Sequence, residues 1–203
     1  MKNCICTLVL FLLSFLINES IFSQPLTGTK TIPGDYATIK TAVIALNTYG
    51  VGTGGVTFNV SAGYSETLAS DSIYITASGT ASSPIVFQKS GTGVNPCLTR
   101  TDAGSKLTSS IGGNGDAVVI IEGSDYITFN AIDVTTSDSG IEYGYYVRKA
   151  GPTDGCKYLT IKNCVITMTK GTSAYVIGLY TSNNIITSLL SSSNGVAVTA
   201  ESG

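Results

Sequence analysis

The chain has 203 residues and a formal net charge of -2, with 12% charged and 43% apolar residues. This length suits one domain with a real core but not two comfortably, and the apolar content argues against disorder. Because there is no basic excess, a nucleic-acid partner is not expected. The sequence contains no His, which excludes imidazole as a catalytic base or metal ligand.

Residues 1–23 have the pattern of a secretory signal peptide. Lys2 supplies a positive start, residues 7–17 (TLVLFLLSFLI) form an apolar run, and Ser23 is a small residue next to the expected cleavage site. The run is shorter than the about 20 residues that a spanning helix needs, which disfavours the alternative of an uncleaved anchor. We therefore expect an exported protein, secreted or at the cell surface, whose mature chain has no membrane span.

The stretch TIPGDYATIKTAVIAL, residues 31–46, carries the clearest helix signal. Asp35 follows a Pro-Gly pair and is the expected N-cap. We predict a helix from Asp35 to Asn47, ended by the Gly-rich segment that follows. Its apolar residues recur at helical spacing and form one stripe; they are Tyr36, Ile39, Val43 and Leu46.

The rest of the sequence reads as short strands. In GGVTFNVSAGYSET, Val56, Phe58 and Val60 alternate with polar residues, and further apolar runs of strand length continue to GVAVTA at residues 195–200. No second helix pattern occurs, which excludes an alternating β/α fold. An all-β sandwich and a solenoid remain.

Self-comparison favours the solenoid. SDYITFNAIDVTTSD, from Ser124, aligns without gaps with CKYLTIKNCVITMTK, 32 residues later, and a degraded third copy from Ser182 places Ile185 over Leu159. In the first two copies the inward phase slips at residues 130–131 and 162–163. A flat strand cannot shift in this way without reversing every side chain, so we predict a bend, for which Asn is suited. Periods near 30 residues are typical of stacked coils.

These repeats resemble the coils of right-handed parallel β-helices, and the helix with the strand after it resembles the start of pectin-lyase-like proteins of bacterial surfaces. The resemblance implies an all-β, right-handed parallel β-helix solenoid over residues 24–203 with an N-terminal capping α-helix, which would cover the apolar end of the first coil. The strand pattern near the C-terminus has no second cap, so we expect the N-terminal part of a longer protein. The matching residues are Thr38, Ile39 and Ala42 and, less closely, Gly63, Tyr64 and Glu66.

A candidate binding face lies in GIEYGYYVRKAG. If strand alternation holds, Glu142, Tyr146 and Arg148 share the outer face, where an aromatic ring beside an ion-pairable couple would suit a sugar. An ordinary solvated strand face is the simpler interpretation. The residues expected to face inward are Ile141, Tyr143, Tyr145 and Val147.

Acid-base and metal chemistry have weaker support. Asp133 and Asp138 are the nearest approach to a carboxylate pair, with Asp133 facing outward, although turn carboxylates would explain both. The segment GGNGD, residues 112–116, could hold Ca²⁺, but a plain turn is favoured and no cofactor is expected.

Three cysteines of the mature chain lack zinc spacing and allow at most one disulfide, with incidental thiols favoured; they are Cys97, Cys156 and Cys164.

Two functions remain open. The favoured one is a noncatalytic secreted or cell-surface module that binds a glycan or acts in adhesion. The alternative is a carbohydrate-active enzyme, a polysaccharide lyase or glycoside hydrolase, as the resemblance implies. The lyases of that family combine a Lys or Arg base with carboxylate-bound calcium, and the hydrolases use two or three Asp. Neither set maps residue by residue here. An active site would therefore be built around Asp133 and Arg148, or it would lie in the C-terminal part that we expect to follow.

Overall fold

A computed structural model describes residues 24–104, 116–171 and 175–185. These residues form thirteen strands and one helix. The predicted signal peptide, the predicted strand at 195–200, residues 112–115 of the GGNGD segment and most of the third repeat copy lie outside the described residues.

The elements are β1 (Leu26–Ile32), α1 (Ile39–Tyr49), β2 (Val51–Ser61), β3 (Ser65–Leu68), β4 (Ile73–Ile75), β5 (Ile85–Ser90), β6 (Cys97–Arg100), β7 (Ala117–Glu122), β8 (Ile127–Asn130), β9 (Asp133–Thr136), β10 (Tyr143–Lys149), β11 (Thr160–Lys162), β12 (Ile166–Thr167) and β13 (Ile177–Ile185).

The strands form three parallel sheets, which we name A (β1-β2-β5-β8-β11), B (β3-β6-β9-β12) and C (β4-β7-β10-β13). From β2 onward the described chain visits sheets A, B and C in turn and makes this circuit four times. Each circuit is one coil. The parallel pairing argues against a sandwich and is compatible with a β-helix-like solenoid.

The sequence repeat found by self-comparison corresponds to the way the fourth coil pairs with the third. Ile161 of β11 pairs with Phe129 of β8, and β12 pairs with β9 at the same 32-residue offset. The predicted bends are present, with left-handed backbone at Ala131 (φ 59) and Asn163 (φ 57). In the first copy the left-handed residue is thus Ala131 and not its neighbour Asn130.

The third repeat copy was aligned wrongly. Ile185 belongs to the nine-residue strand β13 and pairs with Lys149 of β10 in sheet C. It therefore does not occupy the position of Leu159, which precedes sheet A. The error arises because β13 is longer than the sheet C strands before it, so its last apolar residue resembles the start of a new coil.

The core consists of side chains stacked from coil to coil. Phe58, Phe87 and Phe129 occupy one position on consecutive strands of sheet A, with ring centroids 4.6 and 5.1 Å apart. All three residues are fully buried. Because parallel in-register pairing places equivalent residues above each other, each ring covers the next, and burial of each contributes about 1.5–3 kcal/mol.

The helix α1 begins later than predicted. Its N-cap is Thr38, whose hydroxyl accepts a hydrogen bond from the Thr41 N–H (3.0 Å), while the Thr41 hydroxyl accepts one from the Thr38 N–H (3.1 Å). Asp35 is therefore not the cap, because its carboxylate instead accepts the N–H and hydroxyl of Thr31. Of the predicted stripe, Ile39, Val43 and Leu46 are buried together with Ala42.

Tyr64 and Glu66, two of the residues that matched the pectin-lyase-like pattern, contact the start of α1 and the residue before its N-cap. The buried carboxylate of Glu66, on β3, accepts hydrogen bonds from the N–H groups of Ile39 (2.7 Å) and Lys40 (3.1 Å). The Tyr64 hydroxyl donates to the same carboxylate at 3.0 Å. Because the first N–H groups of a helix have no partner within it, Glu66 joins α1 to the first coil.

Candidate functional site

Tyr146 and Arg148 lie on β10 and Glu142 directly precedes it, but these predicted binding residues do not form an exposed face. Glu142, Tyr146 and Arg148 are only 0%, 2% and 7% exposed. Tyr143 was expected to face the core, yet it packs with Tyr146 and Ala117 in a separate cluster. The expected platform with an open Tyr146 ring is therefore wrong in its geometry.

The alternation of β10 fails at Gly144. A side chain there would bring its Cβ to 2.6 Å from Ile166 and 3.3 Å from Val134, both of which belong to or pack against the main core. Gly144 therefore faces the core directly before Tyr145, which is also in the core. Two successive inward positions place Tyr143 and Tyr146 on the same outer side, although the pairing register with β7 does not shift there.

Arg148 is paired with a carboxylate from the preceding coil. Its Nε donates a hydrogen bond to Glu122 of β7, the residue directly beside it in the register. The other oxygen of Glu122 accepts the hydroxyl of Tyr74, from β4. The guanidinium lies 5.7 Å from the ring centroid of Tyr74 and 5.3 Å from that of Tyr146, distances at which a cation is attracted to an aromatic ring.

The predicted partner of Arg148, Glu142, lies elsewhere. Its Oε2 accepts the backbone N–H of Asp116 at 2.9 Å, at the start of β7. Glu142 is fully buried, so it presents no carboxylate to solvent. The ion pair that the sequence suggested within one strand is formed instead between two strands.

A groove of about 520 Å³ lies between α1 and the outer face of sheet C. Its exposed apolar side chains are Tyr74, 40% exposed, and Ile44 of α1, 55% exposed. The Lys40 ammonium and the Asp71 carboxylate lie 2.6 Å apart in the groove wall. The remaining lining residues are Val43, Asn47, Ser72, Ile73, Ile120 and Arg148.

Asn47 fixes the position of α1 relative to Tyr74. Its side-chain Nδ2 donates to the backbone oxygen of Tyr74 at 2.7 Å, and its Oδ1 accepts the N–H groups of Thr76 (3.0 Å) and Ala77 (3.2 Å). The helix and β4 are thus tied together beside the groove. Such fixed walls favour binding, because less freedom is lost when a ligand enters.

The charges around the groove are balanced. Lys40 pairs with Asp71 and Arg148 with Glu122. The pKa of Asp71 is lowered by the hydrogen bond and charge of Lys40, while the pKa of Tyr74 is raised by burial and by its hydrogen bond to Glu122. A neutral, polar ligand suits such a surface better than a highly charged one.

Asp133 and Asp138 are not placed as an acid-base pair. Asp133 Oδ1 accepts the side chain of Asn95 and the N–H of Val165, both at 2.8 Å. Asp138 Oδ1 accepts the N–H of Gly140 at 2.9 Å. Neither carboxylate lines the groove. The contact of Asp138 agrees with a turn carboxylate, whereas Asp133 is the first residue of β9 and links it to the coils on either side.

The thiols of Cys97, Cys156 and Cys164 are free, as the favoured interpretation held. Cys156 is buried, whereas Cys97 and Cys164 are half-buried. Burial raises the pKa of the Cys156 thiol, which lowers its reactivity.

Sequence reasoning missed Tyr74, Glu122, Lys40 and Asn47. One signal was present, because Tyr74 lies between Ile73 and Ile75, and alternation places a residue flanked by inward isoleucines on the outer face. The partners of Tyr74 come from other coils and from α1, and their proximity has no signature in the local sequence.

Within residues 24–104, 116–171 and 175–185, no cluster of three or more Cys, Asp or Glu side chains is placed to hold a metal ion. The same part of the chain has no helix that is long and apolar enough to cross a bilayer. No protein-family model matches the chain, and comparisons with curated proteins and with solved structures find no match either.

Proposed function

We propose that the protein is a noncatalytic, secreted or cell-surface module that binds a glycan in the groove between α1 and sheet C. The observation that carries this proposal is the partly exposed ring of Tyr74, whose hydroxyl is held by Glu122 at the groove. Aromatic rings pack well against the C–H face of a sugar, and nearby polar groups bind its hydroxyls. Lys40, Asp71 and Arg148 supply such groups.

The size and charge of the groove support a short stretch of neutral glycan. Its volume of about 520 Å³ lies within the range of about 300–1,000 Å³ that is usual for ligand sites. Because each cation is paired with a carboxylate, the groove offers both donors and acceptors without a strong net field. Sugar hydroxyls can use both, since each donates and accepts.

The proposal includes the architecture and the export route. The chain would be a right-handed, pectin-lyase-like parallel β-helix over residues 24–203, with α1 as its N-terminal cap, exported by a signal peptide at 1–23. Support comes from the three parallel sheets, from the buried face of α1 and from the apolar run at residues 7–17.

We favour binding over catalysis because the charged groups at the groove have structural partners. A general acid or base must be free to exchange a proton with its substrate. Lys40 and Arg148 are each held by a carboxylate, and Asp133 is held by hydrogen bonds from the neighbouring coils. We therefore expect weak binding without turnover.

A glycan array probed with the exported chain tests the proposal. Tyr74→Ala should abolish or strongly reduce the signal, whereas Tyr74→Phe should retain most of it, because the ring remains. Tyr49→Ala is the matched control, since Tyr49 is 41% exposed on α1 but does not line the groove.

The same samples should be assayed for reducing ends and unsaturated products on neutral and acidic polysaccharides. Binding that survives Tyr74→Ala would refute the groove. Release of products by the parent protein would refute the noncatalytic assignment.

A further inference from the structure

A second feature lies on the outside of the coils, away from the groove. Tyr126 directly precedes β8, and Tyr158 occupies the same position one coil later, shortly before β11. The two rings are stacked, with centroids 4.3 Å apart and an interplanar angle of 20°. Neither residue belongs to the lining of the groove.

Both tyrosines have a backbone conformation that bulky residues avoid. Their φ angles are 53° and 55°, in the left-handed region where a Cβ meets the following carbonyl oxygen. The other left-handed positions in the described chain are ten glycines, Ala131 and Asn163. Tyrosine is thus present where this chain otherwise uses Gly, Ala or Asn.

The turn itself does not require an aromatic side chain. The Tyr126 N–H donates to the Lys157 oxygen at 2.9 Å, and the Tyr126 oxygen accepts the Ile85 N–H at 3.0 Å. Both bonds use main-chain atoms, which Asn or Gly would supply equally well.

Burial does not explain the rings either. Tyr158 is 65% exposed, and neither tyrosine belongs to the buried clusters. One face of the Tyr158 ring lies on Tyr126, and its exposure leaves much of the remaining ring open to solvent. An exposed bulky side chain in an unfavourable backbone conformation points to a role outside the fold.

Hydrogen-bonding groups lie beside the rings on the outer face of sheet A. Thr160 and Lys162 of β11 pair with Thr128 and Asn130 of β8. Thr160 and Lys162 are exposed, and the other two are half-exposed. Alternate residues of a strand lie about 6–7 Å apart, so the open ring and these polar groups are within reach of one sugar residue and its neighbour.

We propose that Tyr158, backed by Tyr126, is a second glycan-binding surface, at which a pyranose ring of a neutral polysaccharide extends the stack. The ligand class rests on the proposed function, whereas the surface is independent of the groove. A protein partner fits less well, because two aromatic side chains bury about 150–250 Å² each and a stable protein interface needs about 800 Å² per partner.

Affinity electrophoresis of the exported chain in gels containing laminarin, xyloglucan or hydroxyethyl cellulose tests this surface. Tyr158→Asn removes the ring but suits the left-handed backbone, so it should raise the dissociation constant roughly 5- to 10-fold without lowering the melting temperature. Tyr158→Phe should bind like the parent. Tyr49→Asn, at an exposed tyrosine outside both surfaces, is the control.

The outcomes separate this proposal from that for the groove. Weaker retardation of Tyr158→Asn with Tyr74→Ala unaffected would support this surface and refute the groove. Unchanged retardation of the Tyr158→Asn variant would refute this surface. If the same variant also had a lowered melting temperature, the stacked rings would serve stability alone. A parent protein that none of the three polysaccharides retards would refute both proposals.

Discussion

Tyr74 and Arg148 come from the first and third coils and bind opposite oxygens of one carboxylate, that of Glu122 in the second coil. The three residues lie on the neighbouring strands β4, β7 and β10. One side chain therefore links three coils on the outer face of sheet C. The orientation of the exposed Tyr74 ring depends on this link.

Glu122→Gln should destabilise the protein by about 1–3 kcal/mol, because it leaves the nearly buried Arg148 without its charged partner. Urea unfolding would measure the loss. Asp71→Asn is the matched control, since it makes the same chemical change in the exposed pair with Lys40, where solvent screens the charges and we expect a clearly smaller loss. Equal losses in the two variants would contradict the linking role of Glu122.

Glu66→Gln should weaken the attachment of α1 to the first coil. The amide keeps one acceptor oxygen but loses the charge near the helix start, and we expect a loss of about 1–2 kcal/mol. Hydrogen exchange should be faster at the N–H groups of Ile39 and Lys40, which bind Glu66. The Thr41 N–H, which binds Thr38, is the internal control. Unchanged protection at Ile39 and Lys40 would show that Glu66 does not hold the helix.

Acid should remove a contribution of Asp102 to stability. Arg100 is 4% exposed and donates to both Asp102 oxygens, at 2.7 and 2.9 Å, and this bonding holds the pKa of Asp102 below its ordinary value of 3.8. The unfolded chain then binds this proton more readily than the folded chain. The contribution is therefore complete above the unfolded pKa and is lost as the pH falls through the lower folded pKa.

The free energy of unfolding is measured from pH 6 to pH 2, a range of about four pH units that includes the ordinary Asp pKa. Asp102→Asn should be less stable than the parent near neutral pH and should approach it in acid. A constant difference across the range would show that the ionised form of Asp102 is not what stabilises the fold.

Asn163 should prove important for the bend between β11 and β12. Its side chain donates to the Asn130 oxygen at 2.8 Å, and its backbone is left-handed, with φ 57. Asn163→Ala and Asn163→Gly both remove the hydrogen bond, but only Ala retains the steric cost of the left-handed conformation. We expect thermal unfolding to show Ala as less stable than Gly by up to about 1 kcal/mol. The reverse order would mean that backbone strain does not dominate there.

The sequence predicted the parts of this fold that depend on local or in-register patterns. The 32-residue repeat was visible because stacked positions such as Phe129 and Ile161 both need apolar residues. The start of α1 was misplaced because Asp35 and Thr38 are both good caps, and the choice depends on Thr31, which occupies the Asp35 carboxylate.

The candidate site was only half visible for a similar reason. Arg148 was identified, but its partner was sought along the strand, at Glu142, whereas coil stacking supplies Glu122 from the neighbouring strand. The predicted orientation of Tyr143 was wrong because Gly144 occupies an inward position, which simple alternation does not predict. A groove between a helix and a sheet depends on how they pack, which periodicity within one segment does not encode.

Strand β11 pairs with β8, and β12 pairs with β9, at the same 32-residue offset. This regular repeat bears on how such a protein can change its length. The strands of each coil pair only with those of the coils directly before and after it, so a duplicated segment of one repeat would be accommodated as an extra layer in the same strand register. Copying the segment that contains Tyr126 would also add another exposed ring to the stack. A single unequal-crossover event in the gene could thus lengthen the protein and extend its aromatic surface together.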